Sequence, residues 1–461
     1  MAPHPVNAAF QRQFHPSQLP IIPSKQHYLR VKQLLDYEHN SVIYLKGKQE
    51  STRDTTDVEL EFRQESYFFY LTGVDEPGFQ VLIDLEKDTV YLVAPNVPEY
   101  DILWKGPSVD PNELLELYDI DQVIQEADIS TLLNTLKPTT LYTLPTSTPS
   151  ITLCKINEHL LQPALDEARL IKFPWEIDIM RQVSHGSSEA HIALMRQFRP
   201  YMTEADVAAL FRWVCAQNKI YRQAYLPIVA SGPRAATLHY SKNNQRIPKG
   251  RHTLVLVDAG GEKYCYGSDI TRTFPAHGRF SEEAKTIYTV VLKMQEAVLS
   301  TLRPGVYWHD LHKLSVEILC QELKRIGILI YDNLEELVQI GIPNAFYYHS
   351  LGHSVGLDVH DVGGRKKNLD ESEFLFSRPL EEHMVLTVEP GLYFNQTMLD
   401  IWTQYPGYQK YFDLEILRRY QEVGGVRIED TVVITKYGHE NLTTVPKQVH
   451  EIEALMNGLY L

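Results

Sequence analysis

The stretch HTLVLVDAGGEKYCYGSDITRTF, His252–Phe274, decides the fold of this chain. An apolar run, Leu254–Val257, ends on a carboxylate, Asp258; Gly260 and Gly261 follow, and a second carboxylate, Asp269, opens a return run that ends at Phe274. Val- and Leu-rich runs separated by turn residues read as an antiparallel hairpin. On a hairpin of that size the two carboxylates, 11 residues apart, can lie across from one another. Two like charges brought together in a half-buried sheet are costly unless a cation sits between them. Taken singly, Asp258 reads as a turn residue before the glycines and Asp269 as an Asx cap after Ser268. As a pair they have a metal-bridging geometry.

Working outward, HSLGHSVGLDVHDVGG (349–364) crowds His349, His353 and His360 around a glycine-broken strand. A lone histidine is more often a satisfied core residue, but three so close exceed what a loop between strands usually carries. MVLTVEPGLYF (384–394) ends an apolar strand on Glu389, a poorly solvated position that asks for a partner. VGGVRIEDTVVIT (423–435) sets Arg427 and Glu429 on one face of a β-run, with Val426 and Ile428 on the other. Alone, Arg427 and Glu429 could be a plain same-face ion pair. Together, two Asp, one ligand-competent His and two Glu can hold two hard divalent cations ~3.5–4 Å apart, and a water trapped between them ionises near neutral pH. So many oxygen donors suit Mn²⁺, Mg²⁺ or Co²⁺ better than a thiolate zinc centre.

The rest of the sequence sets the frame. At 461 residues the chain exceeds what one core usually serves, so two or three domains are expected. A net charge of −15 repels phosphate backbones, which argues against nucleic acid as a general partner. No apolar stretch approaches the ~18 residues of a membrane span, and the N-terminus lacks the apolar core of a signal peptide. The four cysteines, Cys154, Cys215, Cys265 and Cys320, show no CxxC and suggest neither a disulfide framework nor a thiolate metal site. A soluble cytoplasmic protein with no membrane partner is the expectation.

Residues 1–25, Pro-containing and polar, read as a flexible arm. From residue 26 to 165, β-rich runs such as SVIYL, QVLIDL and TVYLVAP alternate with helical ones such as PNELLELY, the pattern of an α/β domain. From 166 to 461, long amphipathic helices (EIDIMRQVSHGSSEAHIALMRQF, TEADVAALFRWVCAQ, SEEAKTIYTVVLKMQEAVLSTL) are interleaved with paired strands, which predicts an α+β domain.

With these motifs in view, the chain resembles the pita-bread metallopeptidases of the aminopeptidase P and prolidase family, which cleave the bond between a residue and a following proline. HSLGHSVGLDVHD matches the family's proline-peptidase signature, VDAGGEKYCYGSDITRTFP, VLTVEPGLYF and GGVRIED follow the family's order, and FRQESYFFYLTGVDEPG (62–78) resembles the aminopeptidase P N-terminal domain. The resemblance implies that Asp258, Asp269, His353, Glu389 and Glu429 ligate two metals, two Mn²⁺ with Co²⁺ or Zn²⁺ as substitutes, and that Asp269 and Glu429 bridge them. It implies Glu389 as the proton acceptor, His239 and His360 as contacts to substrate and to the tetrahedral intermediate, His349 at the proline pocket and Arg427 as the residue that orients the network. It also implies peptide substrates with penultimate proline, and a homodimer by analogy.

Two departures bear on this. His383, in LEEHMV (380–385), stands where the family commonly has a turn glycine, which concerns the loop and not the ligands. The arginine with which prolidases bind a dipeptide's free carboxylate aligns with Phe374-Leu375-Phe376, and Arg378 is out of register. Both the aminopeptidase P type and the dipeptidase type stay open, the first being favoured. Methionine aminopeptidase lacks a front domain of this length. A non-catalytic pita-bread binding module, or a metal-free creatinase-like hydrolase, generally lacks the five ligands.

Overall fold

The computed structural model describes residues 21–149, 154–363 and 378–458. The chain divides into two compact units between Leu165 and Asp166.

The first unit is built on a mixed six-stranded sheet, in spatial order Gln122–Gln125, Thr89–Ala94, Gln80–Asp84, Ser41–Lys46, Thr140–Tyr142 and Lys155–Asn157. The central strands are antiparallel and the outer pairings parallel. Val42, Tyr44, Leu82, Tyr91 and Val93 form one core with Ile129 and Leu133 of the helix Ile129–Leu136. The family-like segment at 62–78 contains the helix Ser66–Thr72. The Glu65 carboxylate caps it by accepting from the amides of Tyr67 and Phe68, and Gly73 ends it at φ +70°. The expected arm overruns the fold, because Ser24 and Lys25 already belong to the helix Ser24–Leu34, and Lys25 donates to Asp121 at 2.7 Å. The rest of that arm, up to residue 20, lies outside the described residues, as does the Phe374–Phe376 stretch.

The second unit is α+β, and its strand pairs are antiparallel. The strands that end on candidate ligands, Leu254–Asp258 and Val385–Val388, are buried along their whole length, which accounts for apolar runs without alternation. Helices Pro174–Gln197, Glu204–Gln217, Glu282–Thr301 and Trp308–Arg325 cover them. The last of these, WHDLHKLSVEILCQELKR, was not anticipated; its broken polar pattern hides a face on which Leu311, Leu319, Cys320 and Leu323 are buried. Thr203 and Ser281 cap the second and third of these helices, accepting from Asp206 N and Ala284 N. His383 takes φ +70°, so the turn keeps the left-handed backbone that a glycine would supply. It is pinned there by hydrogen bonds from its amide to Ile434 O at 2.8 Å and from Lys172 N to its carbonyl at 3.1 Å.

A buried ion cluster anchors the loop that carries His360. The Asp361 carboxylate accepts from Lys172 Nζ at 2.9 Å and Arg169 Nη2 at 2.5 Å. Burial raises its pKa, but Lys172 and Arg169 more than reverse this and hold the group below the usual carboxylate range. Gly356 makes room for it: a Cβ there would lie 2.2 Å from Asp361 Oδ2 and 3.0 Å from Lys172 Cε. Replacing Asp361 by Asn leaves two buried cations short of their counter-charge and should cost about 3 kcal/mol or more at pH 7. Because the native pKa is depressed, that contribution is whole above pH ~4 and fades on acidification. Urea unfolding of wild type and Asp361→Asn should therefore show a gap that narrows between pH 7 and pH 3; a gap independent of pH would count against the ion cluster as its source.

Candidate active site

The hairpin built from Leu254–Asp258 and its return strand carries two carboxylates on one face. Its register pairs Asp258 with Thr271, and beyond that Glu262 with Gly267. One register thus runs the length of the hairpin and sets Asp269 opposite Gly260. The two aspartates are therefore diagonal neighbours, not directly opposed as expected, a distance that side chains still span. Gly260 is required here: a Cβ would fall 1.7 Å from Ser268 O. The Tyr225 hydroxyl touches both carboxylates, at 2.6 Å from Asp258 Oδ1 and in close contact with Asp269 Oδ1, so the two groups converge on one point.

The two glutamates face each other across a second strand pair. Val388 pairs with Asp430 and Gly391 with Arg427, so the intervening register sets Glu389 opposite Glu429 where the ladder is interrupted. Glu429 is tied to the aspartate hairpin: its amide donates to Thr271 O at 3.1 Å, and Thr271 Oγ1 donates to its carboxylate at 2.6 Å. His353 joins through the Thr387 hydroxyl, which accepts from its amide at 3.0 Å. Its Nδ1–H donates to Ser354 O at 3.0 Å, which turns Nε2 toward Asp269 and Glu389, each 3.4 Å away. Ligand-competent atoms of Asp269, His353 and Glu429 lie within 4.8 Å of one another.

The charge balance shows what such a cluster needs. Asp258 is 9 %, Asp269 5 % and Glu429 1 % exposed, so water screens them little. Burial, and then the neighbouring carboxylates, push Glu429 well above the usual range. Burial lifts Glu389 to about 7, and lifts Asp258 despite the Arg427 guanidinium beside it. Burial opposes a charge on His353, but Asp269 and Glu389 outweigh it and raise the imidazole to about 9. A protein does not ordinarily gather this much desolvated negative charge without cations, and oxygen donors with one imidazole suit hard divalent ones. The residues present fit that role.

Around this cluster stand the other predicted residues. Arg427, 3 % exposed, donates to Asp258 Oδ2 at 2.5 Å, to Thr271 Oγ1 at 3.1 Å and to the Tyr393 oxygen at 3.0 Å. His349 lies 2.8 Å from that same oxygen through Nε2 and 2.7 Å from Ser350 O through Nδ1. Burial and Arg427 push it down to about 3, so it is neutral at pH 7; Nδ1–H donates to the carbonyl and Nε2 accepts from Tyr393. A hydrogen-bonded chain thus runs from Asp258 through Arg427 and Tyr393 to His349. The His360 ring stands 4.2 Å from that of His353, and the residue is exposed. His239 is exposed too, and it is an electrostatic neighbour of both His349 and His360. Its segment is held by Glu204, a fully buried acid that accepts from Ser231, Arg234 and Tyr240, each at 2.8 Å.

Sequence reasoning missed Tyr225, Tyr393, Thr271 and Glu204. Thr271 and Tyr393 lie inside quoted motifs, two residues from Asp269 and four from Glu389, and same-face spacing could have found the first. Tyr225 and Glu204 carry no local signal, since their partners lie on other elements, Asp258 33 residues beyond Tyr225 and Ser231 27 beyond Glu204. Arg378 is occupied by Glu167 and Glu381.

Comparison with known proteins agrees with this architecture. Residues 178–436 match the model of metallopeptidase family M24, and residues 27–142 match the aminopeptidase P N-terminal domain. A probable Xaa-Pro aminopeptidase of Botryotinia fuckeliana is 38% identical over 447 residues, which cover 94% of this chain and 97% of that protein. A probable Xaa-Pro aminopeptidase of Pyrenophora teres f. teres is also 38% identical, but this chain spans only 51% of its length. Among solved structures, the aminopeptidase PepP of Pseudomonas aeruginosa superposes with a TM-score of 0.80 at 32% identity, covering 96% of this chain and 99% of the other. Aminopeptidase P from E. coli with the inhibitor Pro-Leu gives 0.79 at 29% identity, over 94% and 98%. The antiparallel strands that gather the acidic cluster are thus those of a pita-bread catalytic unit, and the chain, a metalloexopeptidase, belongs to the aminopeptidase P group of metallopeptidase family M24.

Proposed function

We propose that this chain is an Xaa-Pro aminopeptidase: residues 26–165 form the front domain, residues 166–461 form the catalytic domain, and the enzyme releases the N-terminal residue from peptides with proline second. The observation that carries the reading is the convergence of Asp269, His353 and Glu429, with Glu389 and Asp258 beside them, in a pocket of buried charge. In this reading Asp258, Asp269, His353, Glu389 and Glu429 would hold two divalent cations, manganese in the cell, which would supply Lewis acidity and lower the pKa of water.

The chain's own groups do the rest. Glu389, at the end of a buried strand and 3.4 Å from His353 Nε2, is the carboxylate assigned to take a proton from the attacking water and return it to the departing amine. The exposed imidazoles of His239 and His360 flank the site where the scissile carbonyl must lie, and are placed to donate to its oxygen as negative charge develops. An Xaa-Pro amide has no N–H to recognise, so selection rests on ring shape, for which His349, fixed by Tyr393, forms one wall. Arg427 joins the wall to the cluster. The occupied state of Arg378 disfavours a dipeptidase, which needs a free cation for the substrate's carboxylate. A cytoplasmic homodimer completes the proposal; no helix among the described residues is long and apolar enough to cross a membrane.

Three outcomes follow. Metal-stripped protein reconstituted with Mn²⁺ should cleave Gly-Pro-Ala at its first bond at least as fast as it cleaves Gly-Pro, and the stripped protein should cleave neither; cleavage of the dipeptide alone would make it a prolidase. Asp269→Asn and Glu429→Gln should each lower kcat/KM by about 100-fold or more, since even residues behind a metal's ligands cost 10–100-fold when removed. Near-normal hydrolysis by either variant would sink the ligand assignment. Light scattering should give the mass of two chains.

A further inference from the structure

We infer that Gln295 is a positioning residue that sets the spacing of Glu389 and Glu429; the inference rests on the ligand reading proposed above. Gln295 lies within the helix Glu282–Thr301, in a stripe that includes Val291, Met294 and Val298, and is fully buried. An amide at such a position is tolerated only where its hydrogen bonds are made.

They are made at a telling place. The side-chain nitrogen donates one hydrogen to Val388 O at 3.0 Å and the other to Ile428 O at 3.2 Å. These carbonyls belong to the residues immediately before Glu389 and Glu429. The strand ladder runs as far as Val388 with Asp430 and resumes at Gly391 with Arg427. In the gap stands Pro390, which has no N–H to give. One long backbone bond, from Ile428 N to Pro390 O at 3.4 Å, spans this gap, so Gln295 ties the two strands together where their own pairing is weakest, beside the two facing glutamates.

The amide cannot turn over. Its oxygen accepts from Lys447 Nζ at 2.7 Å, a group that only donates, so the nitrogen is fixed toward the two carbonyls. Lys447 also donates to Asp430 Oδ2 at 2.5 Å, and Asp430 accepts from Arg272 at 2.7 Å through its other oxygen. Arg272 in turn donates to Glu429 O at 2.8 Å and to Thr271 O at 3.0 Å. The amide is thus one end of a buried frame that reaches the aspartate hairpin and leaves all five ligand side chains untouched.

Gln295→Met keeps the volume and removes both donors, and Gln295→Glu keeps the shape and the contact with Lys447. Each variant and the wild type would be titrated with Mn²⁺, with free ion read by electron paramagnetic resonance, and Tm measured alongside. The expected result is two Mn²⁺ per wild-type chain and affinity weakened tenfold or more in the Met variant at temperatures where it is fully folded, with Gln295→Glu weakened likewise. At saturating Mn²⁺, kcat should fall while KM for Gly-Pro-Ala changes little. A Met variant with lower Tm but unchanged Mn²⁺ affinity and kcat would overturn the inference and leave Gln295 a packing residue; should that variant not fold, wild-type-like affinity in Gln295→Glu would do the same. Failure of the wild type to bind Mn²⁺ would instead overturn the ligand reading on which the inference stands.

Discussion

Desolvated negative charge is the constraint around which the catalytic unit is arranged. Asp258, Asp269, Glu389 and Glu429 converge where water barely reaches; burial, then Asp269, Glu389 and Asp258, raise the cost of ionising Glu429, while His353 and Tyr225 hold Asp269 low. The chain answers this charge with Arg427 against Asp258, His353 against Asp269 and Glu389, and hydroxyls from Tyr225 and Thr271. These are local answers that leave Glu429 and Glu389 displaced toward their protonated forms. The site is strained electrostatically in the way that metal binding relieves.

Holding such a cluster together demands a stiff surround. Two groups buried behind it act on the backbone, Arg272 on the carbonyls of Thr271 and Glu429 and Gln295 on those of Val388 and Ile428, and Lys447 and Asp430 link them through their side chains. A ligand side chain has only a few torsions, so where its peptide unit sits largely decides where its oxygen can go. The same logic applies at the rim, where Asp361 with Lys172 and Arg169 fixes the loop of His360, and Glu204 fixes the segment of His239. Charges that repel one another are kept in place by charges that attract, one layer farther from the centre.

This arrangement determines what could be read from sequence. The strands that carry the acidic cluster were legible because a carboxylate that closes a fully buried apolar run is tolerated only where something compensates its charge; Asp258 and Glu389 stand out as candidate ligands this way. His353 and His360 were legible through the crowding of histidines in one short loop. The α/β and α+β division followed from the period of the apolar residues, since Ser41–Lys46 and Pro174–Gln197 each carry one clear pattern. The helix Trp308–Arg325 was not, because His309, Asp310, His312 and Lys313 interrupt its apolar face.

What remained illegible shares one physical cause: it depends on contacts between segments far apart in the chain. Whether Asp258 faces Asp269 directly or diagonally is a matter of one register step. Tyr225 is an ordinary tyrosine before a Leu-Pro until the fold brings it against the hairpin. Gln295 falls at helical spacing in the apolar stripe of Val291, Met294 and Val298, which marks it as inward-facing but not what its amide meets. Only the helix packing on a broken ladder turns its amide into a rung. Motifs display the groups that perform chemistry, because those cluster locally. The groups that position them lie on whichever element passes behind, and spacing along the chain carries no record of that.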